Sequence, residues 1–174
     1  MADFDRYKNN CSRIDWEIFM NGSVSLYYSY DVLEKDLKWL LEKKYKIVRI
    51  DLKEINTQEL FHKRIKESCH FPEYYGENMS ALSDCLRHDL EIPFKSGAAL
   101  VLENFNLFYE KDKSAANEIL ERLSRGSRER ILTGERLITL IHTNDPQFDP
   151  EEIGSFKIRW NRCEFMDERR LGIQ

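Results

Sequence analysis

The sequence predicts an α/β fold: a small parallel sheet flanked by helices, with a hairpin and helix added N-terminally and an edge strand added C-terminally. Three observations carry this. Lys46–Leu52, Ala98–Leu102 and Leu137–His142 are short apolar runs of the kind found in strands buried on both faces of a parallel sheet. Amphipathic stretches of helical length separate them, and such alternation gives a sheet covered by helices with right-handed crossovers. At 174 residues the chain can bury a core without disulfide staples.

The elements follow in order. Asp15–Tyr28 alternates around Asn21-Gly22, a two-residue hairpin signal, and predicts two short antiparallel strands. Asp31 with Glu34 reads as a capping box opening a helix whose buried stripe is Leu33, Leu37, Leu40 and Leu41. Lys43 and Lys44 fall at its C-terminal end, where cations suit the helix dipole. After the strand Lys46–Leu52, Asn56 and Glu59 are expected to cap a helix bearing Leu60, Phe61 and Ile65. A proline-opened loop then leads into a helix from about Asn78 to Leu90, and Pro93 and Gly97 precede the strand Ala98–Leu102. Ser114 opens a helix with Ala116, Ile119, Leu120 and Leu123 on one face and Gly126 placed to end it. Beyond the strand Leu137–His142, Asp149-Pro150-Glu151-Glu152 reads as a turn and helix start. Phe156, Ile158 and Trp160 alternate with charged or polar residues, which predicts a half-buried edge strand. Residues 167–174 are expected to fray. The expected organisation is an extension over 1–45, a main domain over 46–143 and a strand and tail over 144–174, all in one compact unit.

Composition excludes several function classes. No apolar run approaches the ~18 residues of a membrane span, and no basic region followed by an apolar one marks a secretory signal. Cys11, Cys69, Cys85 and Cys163 show no paired spacing, which suits free thiols and a cytoplasmic location. The net charge is −4, but residues 71–110 alone hold seven acids against Arg87 and Lys95, so the remainder sums to +1. An acidic centre argues against direct nucleic-acid binding and suits a basic protein partner.

The densest signal lies at residues 71–86, Phe-Pro-Glu-Tyr-Tyr-Gly-Glu-Asn-Met-Ser-Ala-Leu-Ser-Asp-Cys-Leu. Of two adjacent tyrosines, Tyr74 and Tyr75, at least one is expected to plug the core. Gly76 is expected at positive φ and Asn78 at the helix N-cap. The helix puts Met79, Leu82 and Leu86 on one side and Ser80, Ser83, Asp84 and Arg87 on the other. That outer stripe is short and polar, so another protein can approach it closely; a tyrosine- and acid-rich loop braced on a helix suits presentation to a partner.

The run Pro72-Glu73-Tyr74-Tyr75-Gly76-Glu77-Asn78, with Ala81-Leu82 and Asp84-Cys85-Leu86, resembles the barstar family of ribonuclease inhibitors, and the resemblance extends from Lys46 to His142. It implies a barstar-like fold. It also implies a stoichiometric inhibitor, an immunity protein whose loop and helix plug the active site of a toxic ribonuclease. The family's decisive aspartate, which mimics a substrate phosphate, falls on Asp84; its contacting tyrosine falls on Tyr74, and its close-packed glycine and asparagine on Gly76 and Asn78. The sequence departs from the pattern at Ser80 (an acid in the family), Ser83 (a tryptophan) and Arg87 (a small polar residue), while a late-helix glutamate aligns loosely with Arg125. The rewritten rim implies a toxin other than barnase. The partner surface expected is therefore Tyr74, Gly76, Asn78, Ser80, Ser83, Asp84 and Arg87, on a monomer with no catalytic residues, cofactor or metal.

A barstar-fold module that binds a non-nuclease toxin, or regulates an endogenous protein, is the alternative. Catalytic readings are weak. His62, His70, His88 and His142 accompany no nucleophile motif, Cys69-His70 and Cys85/His88 match no zinc spacing, and no glycine-rich phosphate loop is present.

Overall fold

A computed structural model describes residues 13–172. The elements are α1 (Ile14–Met20), β1 (Val24–Tyr27), α2 (Tyr30–Glu42), β2 (Lys46–Asp51), α3 (Gln58–Cys69), α4 (Met79–His88), β3 (Gly97–Glu103), α5 (Phe105–Lys111), α6 (Lys113–Leu132), β4 (Arg136–His142), β5 (Arg159–Trp160) and α7 (Asp167–Leu171). The strands form one five-stranded sheet in the order β2-β3-β4-β1-β5, parallel throughout.

Alternation along the central strands divides the core in two. Ala98, Leu100 and Leu102 of β3 face α3, α4, α5 and α6 in the larger cluster. Ala99 and Val101, one residue out of phase, join Ile14, Ile18, Leu33, Leu37 and Leu40 of α1 and α2 on the other face. This period of two is why both faces of β3 and β4 are buried, whereas β2, at the sheet edge, leaves Arg49 and Asp51 exposed.

The N-terminal hairpin is corrected. Residues 14–20 are helical, and only one strand follows, parallel to β4. Asn21-Gly22 ends α1 in a Schellman arrangement: Gly22 has φ +85°, Ser23 N–H donates to Ile18 O and Gly22 N–H to Phe19 O. Positive φ at glycine serves a hairpin turn and a helix stop alike, and the buried pair Ile14/Ile18 decides for the helix.

Other boundaries also shift. Asp31 lies inside the first turn of α2, after Ser29 at the cap, and Leu41 is exposed. Thr57, not Asn56, caps α3 by accepting from Leu60 N–H, and Leu60 faces out. Helix α6 runs through Gly126 to Leu132, because the glycine sits where α6 presses on α4. A Cβ there would meet Leu86 Cβ at 3.2 Å. Residues 149–152 form no helix.

The C-terminal segment is pinned rather than frayed over residues 167–171. Arg170, buried, donates to the carbonyls of Pro146, Glu164 and Phe165 and lies 4.2 Å over the Trp160 ring. The buried Glu164 carboxylate accepts from Tyr28 and Ser29 N–H at the end of β1, and Asn161 and the Tyr27 hydroxyl both donate to Asp36. Edge strand β5 pairs with β1 as expected but is confined to Arg159–Trp160, while Phe156 forms an isolated antiparallel bridge with Ile153. Among the described residues no helix is long and apolar enough to cross a membrane.

Candidate functional site

Helix α3 ends at His70 in the left-handed region (φ +55°), which turns the chain outward. Phe71 returns inward against the Tyr75 ring, with centroids 5.1 Å apart, and Tyr75 N–H donates to Pro72 O to close a turn. The two tyrosines then part. Tyr75 is 3% exposed, with its hydroxyl 2.6 Å from His62 Nδ1; Tyr74 is 73% exposed, and its hydroxyl donates to Asp89 Oδ1 at 2.6 Å.

Glu77, not Gly76, takes the left-handed conformation, with φ +50°. Gly76 instead lies close under the Asn78 side chain. Asn78 Nδ2 donates to Gly76 O at 2.9 Å, and a Cβ on Gly76 would lie 3.0 Å from that nitrogen. Asn78 Oδ1 accepts from Ala81 N–H, so one side chain both caps α4 and ties the loop.

Helix α4 buries Met79, Leu82, Cys85 and Leu86. Ser80 and Asp84 are exposed, and Ser83 and Arg87 half-buried, at spacings of three, four and seven that share the outer face. The structure thus brings all seven expected residues onto one loop and helix. Their availability differs. Ser83 Oγ donates back to Met79 O. Arg87 is bound by Glu129 of α6, which Arg125 also contacts. Asp84 has no hydrogen-bond or ion-pair partner among the described residues.

The hydrogen bond from Tyr74 is the first cause that lowers the Asp89 carboxyl, and the same bond pushes the Tyr74 phenol up to about 12. Burial pushes Glu129 up, but Arg87 and Arg125 outweigh it and the group is net lowered. Burial depresses His62, which is neutral at pH 7. Burial pushes the Cys85 and Cys69 thiols up to about 12 each, which makes them poor nucleophiles.

Two residues beside this surface were not legible beforehand. Asp89 stands 15 positions from Tyr74, with no periodic link between them. Glu129 is four residues past Arg125, a spacing that could have paired them, but nothing in the sequence joins it to Arg87. The end of α4 is clamped by Arg130 of α6, whose guanidinium donates to Leu86 O, Leu90 O and Glu135.

With the geometry in place, comparison with known proteins is specific. The model of the family described as Barstar (barnase inhibitor) matches residues 45–140. The protein named "Putative ribonuclease inhibitor YrdF" of Bacillus subtilis (strain 168) is 34% identical over 80 residues, which is 46% of this chain and 84% of that protein. The matched family segment holds β2, β3, most of β4, the Tyr74–Asn78 loop and α4. This chain belongs to the barstar (barnase inhibitor) family.

Proposed function

We propose that this chain is an immunity protein: a stoichiometric inhibitor that plugs the active site of a toxic ribonuclease with the Tyr74–Asn78 loop and the outer face of α4. Family membership supports a barnase-inhibitor-like role. The observation that carries the finer reading is Asp84. It stands exposed at the middle of the helix, with the short Ser80 and Ser83 beside it, and has no partner among the described residues, while Tyr74, Ser83 and Arg87 have intramolecular partners.

A free carboxylate on a preorganised helix can enter a cationic phosphate site without breaking any bond of its own. The ring of cations then replaces the water it loses, and fixing the helix beforehand removes part of the ordering cost. Asp84 would stand where a substrate phosphate binds, and the protein would block the site without chemistry of its own.

The test is affinity capture with the tagged chain from its own host, identification of the bound protein, and calorimetry with wild type and Asp84→Ala. Truncating a desolvated hot-spot carboxylate costs at least about 2 kcal/mol, close to thirtyfold in Kd. A ribonuclease held by wild type and weakened that far by Asp84→Ala supports the reading. A non-nuclease held equally by both would sink it and favour the alternative of an interaction module on the same fold.

A further inference from the structure

A cleft of about 900 Å³ opens between the α4–β3 loop and the C-terminal end of α6. Arg87 and His88 of α4 line it, so it is continuous with the helix that carries Asp84. The loop contributes Phe94, which is 90% exposed.

That exposure is held in place. Lys95 adopts φ +59°, Ser96 N–H donates to Pro93 O, and Ser96 Oγ donates to Lys43 O at 2.8 Å. Arg136 donates to the carbonyls of Lys95 and Ser96. The loop is braced from beneath while its aromatic tip projects outward. The Lys95 ammonium lies 5.3 Å from the Phe94 ring centroid, and no carboxylate among the described residues pairs with it. Four cations line the cleft: Arg87 and Arg130 are paired with Glu129 and Glu135 of the lining and Arg136 lies 3.6 Å from the buried Asp15, so Lys95 carries the net positive charge. Its sign is therefore opposite to that of the Asp84 side.

Area points the same way. A stable complex covers about 800 Å² on each partner. The ten residues of α4 give a face roughly 15 Å long and 10 Å wide, and the Tyr74 loop adds only a little more. A protein seated on Asp84 must reach beyond α4, and Arg87 and His88 lead directly into the cleft.

We propose that this cleft is a second docking subsite for the same ribonuclease, taking an acidic loop of that enzyme that carries an apolar side chain, with Phe94 and Lys95 as its anchor. The inference rests on the function proposed above. The partner it implies is bipolar: a cationic active site over Asp84 and, beside it, an apolar residue next to a carboxylate. Phe94 would pack the apolar residue and Lys95 would meet the carboxylate, a complementarity that also excludes uniformly basic enzymes.

The experiment titrates the purified chain with catalytically inactive forms of the toxic ribonucleases of every type encoded in its own host's genome. The chain is used as wild type, Phe94→Ala, Lys95→Glu, Asp84→Ala and Leu41→Ala, the last being exposed on α2 across the sheet. Phe94→Ala and Lys95→Glu are each expected to raise Kd tenfold or more with unchanged melting temperature, and Leu41→Ala to leave it unaltered. Wild-type affinity in both cleft variants, with Asp84→Ala weakened, overturns the subsite and leaves the function standing. If wild type binds none of these enzymes, the function and the subsite fall together. Weakening by the cleft variants alone supports the subsite and removes Asp84 as the anchor.

Discussion

Arg87 of α4 and Glu129 of α6 meet fork to fork, Nε to Oε2 and Nη2 to Oε1, both at 2.9 Å. Arg125 reaches the same carboxylate at 3.1 Å. The cation that departs from the family pattern is thus partly neutralised by its own fold. Glu129→Gln should release that charge three residues from Asp84 and weaken binding to a basic ribonuclease about fivefold, roughly 1 kcal/mol. Unfolding in urea should barely change, since the pair is half exposed. Calorimetry and denaturation on the same samples check both halves.

Tyr75 and His62 hold the loop from within. Tyr75→Phe would leave the ring in place but strip His62 Nδ1 of its buried partner. The expected loss is about 1–3 kcal/mol in urea unfolding. Tyr74→Phe, at an exposed site, should cost far less.

His62 also sets a pH dependence. Its folded pKa lies below the ordinary 6.5 because burial disfavours the imidazolium. The unfolded chain therefore binds the proton first, and this group's contribution to stability falls as pH drops from about 6.5 toward the folded value. His142 is shifted the same way by burial. Unfolding free energies at pH 7.5 and 5.5 should show the decline, and His62→Gln should flatten it. An equal slope in that variant would assign the effect elsewhere.

Gly97 begins β3 where Tyr45 crosses it. A Cβ there would lie 2.3 Å from Tyr45 Cε1 and 2.8 Å from Arg136 O, a backbone atom that cannot swing aside. Gly97→Ala should cost about 3 kcal/mol from overpacking, read as a lower urea midpoint.

Arg130 is 7% exposed and bonds two carbonyls near the end of α4. Arg130→Met should keep the volume while leaving Leu86 O and Leu90 O unsatisfied, a loss of about 3 kcal/mol. Hydrogen exchange should show the last turn of α4 opening first, before the sheet.

Much of this was legible in the sequence because it depends on local periodicity. The apolar runs of β3 and β4 are buried almost throughout, and β2, at the sheet edge, still reads as a strand although Arg49 and Asp51 are exposed. That one of Tyr74 and Tyr75 is core and that Asn78 is the cap follow from neighbours a few residues away, but which tyrosine turns inward does not. Where one local signal serves two structures, reading failed. Asn21-Gly22 fits a hairpin and a helix stop equally, and Gly126 marks either a helix end or a close helix crossing. Helix α5 was hidden because Asn104-Phe105-Asn106-Leu107-Phe108 lacks a side-chain cap and follows β3 without a break. The Tyr74–Asp89 and Arg87–Glu129 contacts are tertiary, and no spacing rule joins their halves.

The place of β1 bears on how the protein is born. Both of its neighbours in the sheet come later in the chain, and Ser25 touches Arg159 across 134 positions. A ribosome releasing the chain in order would expose Val24–Tyr27 with no mate until β4 and β5 emerged. Pairings so distant are slow to close. The sheet is thus closed around β1 only once Arg136–His142 and Arg159–Trp160 have been made.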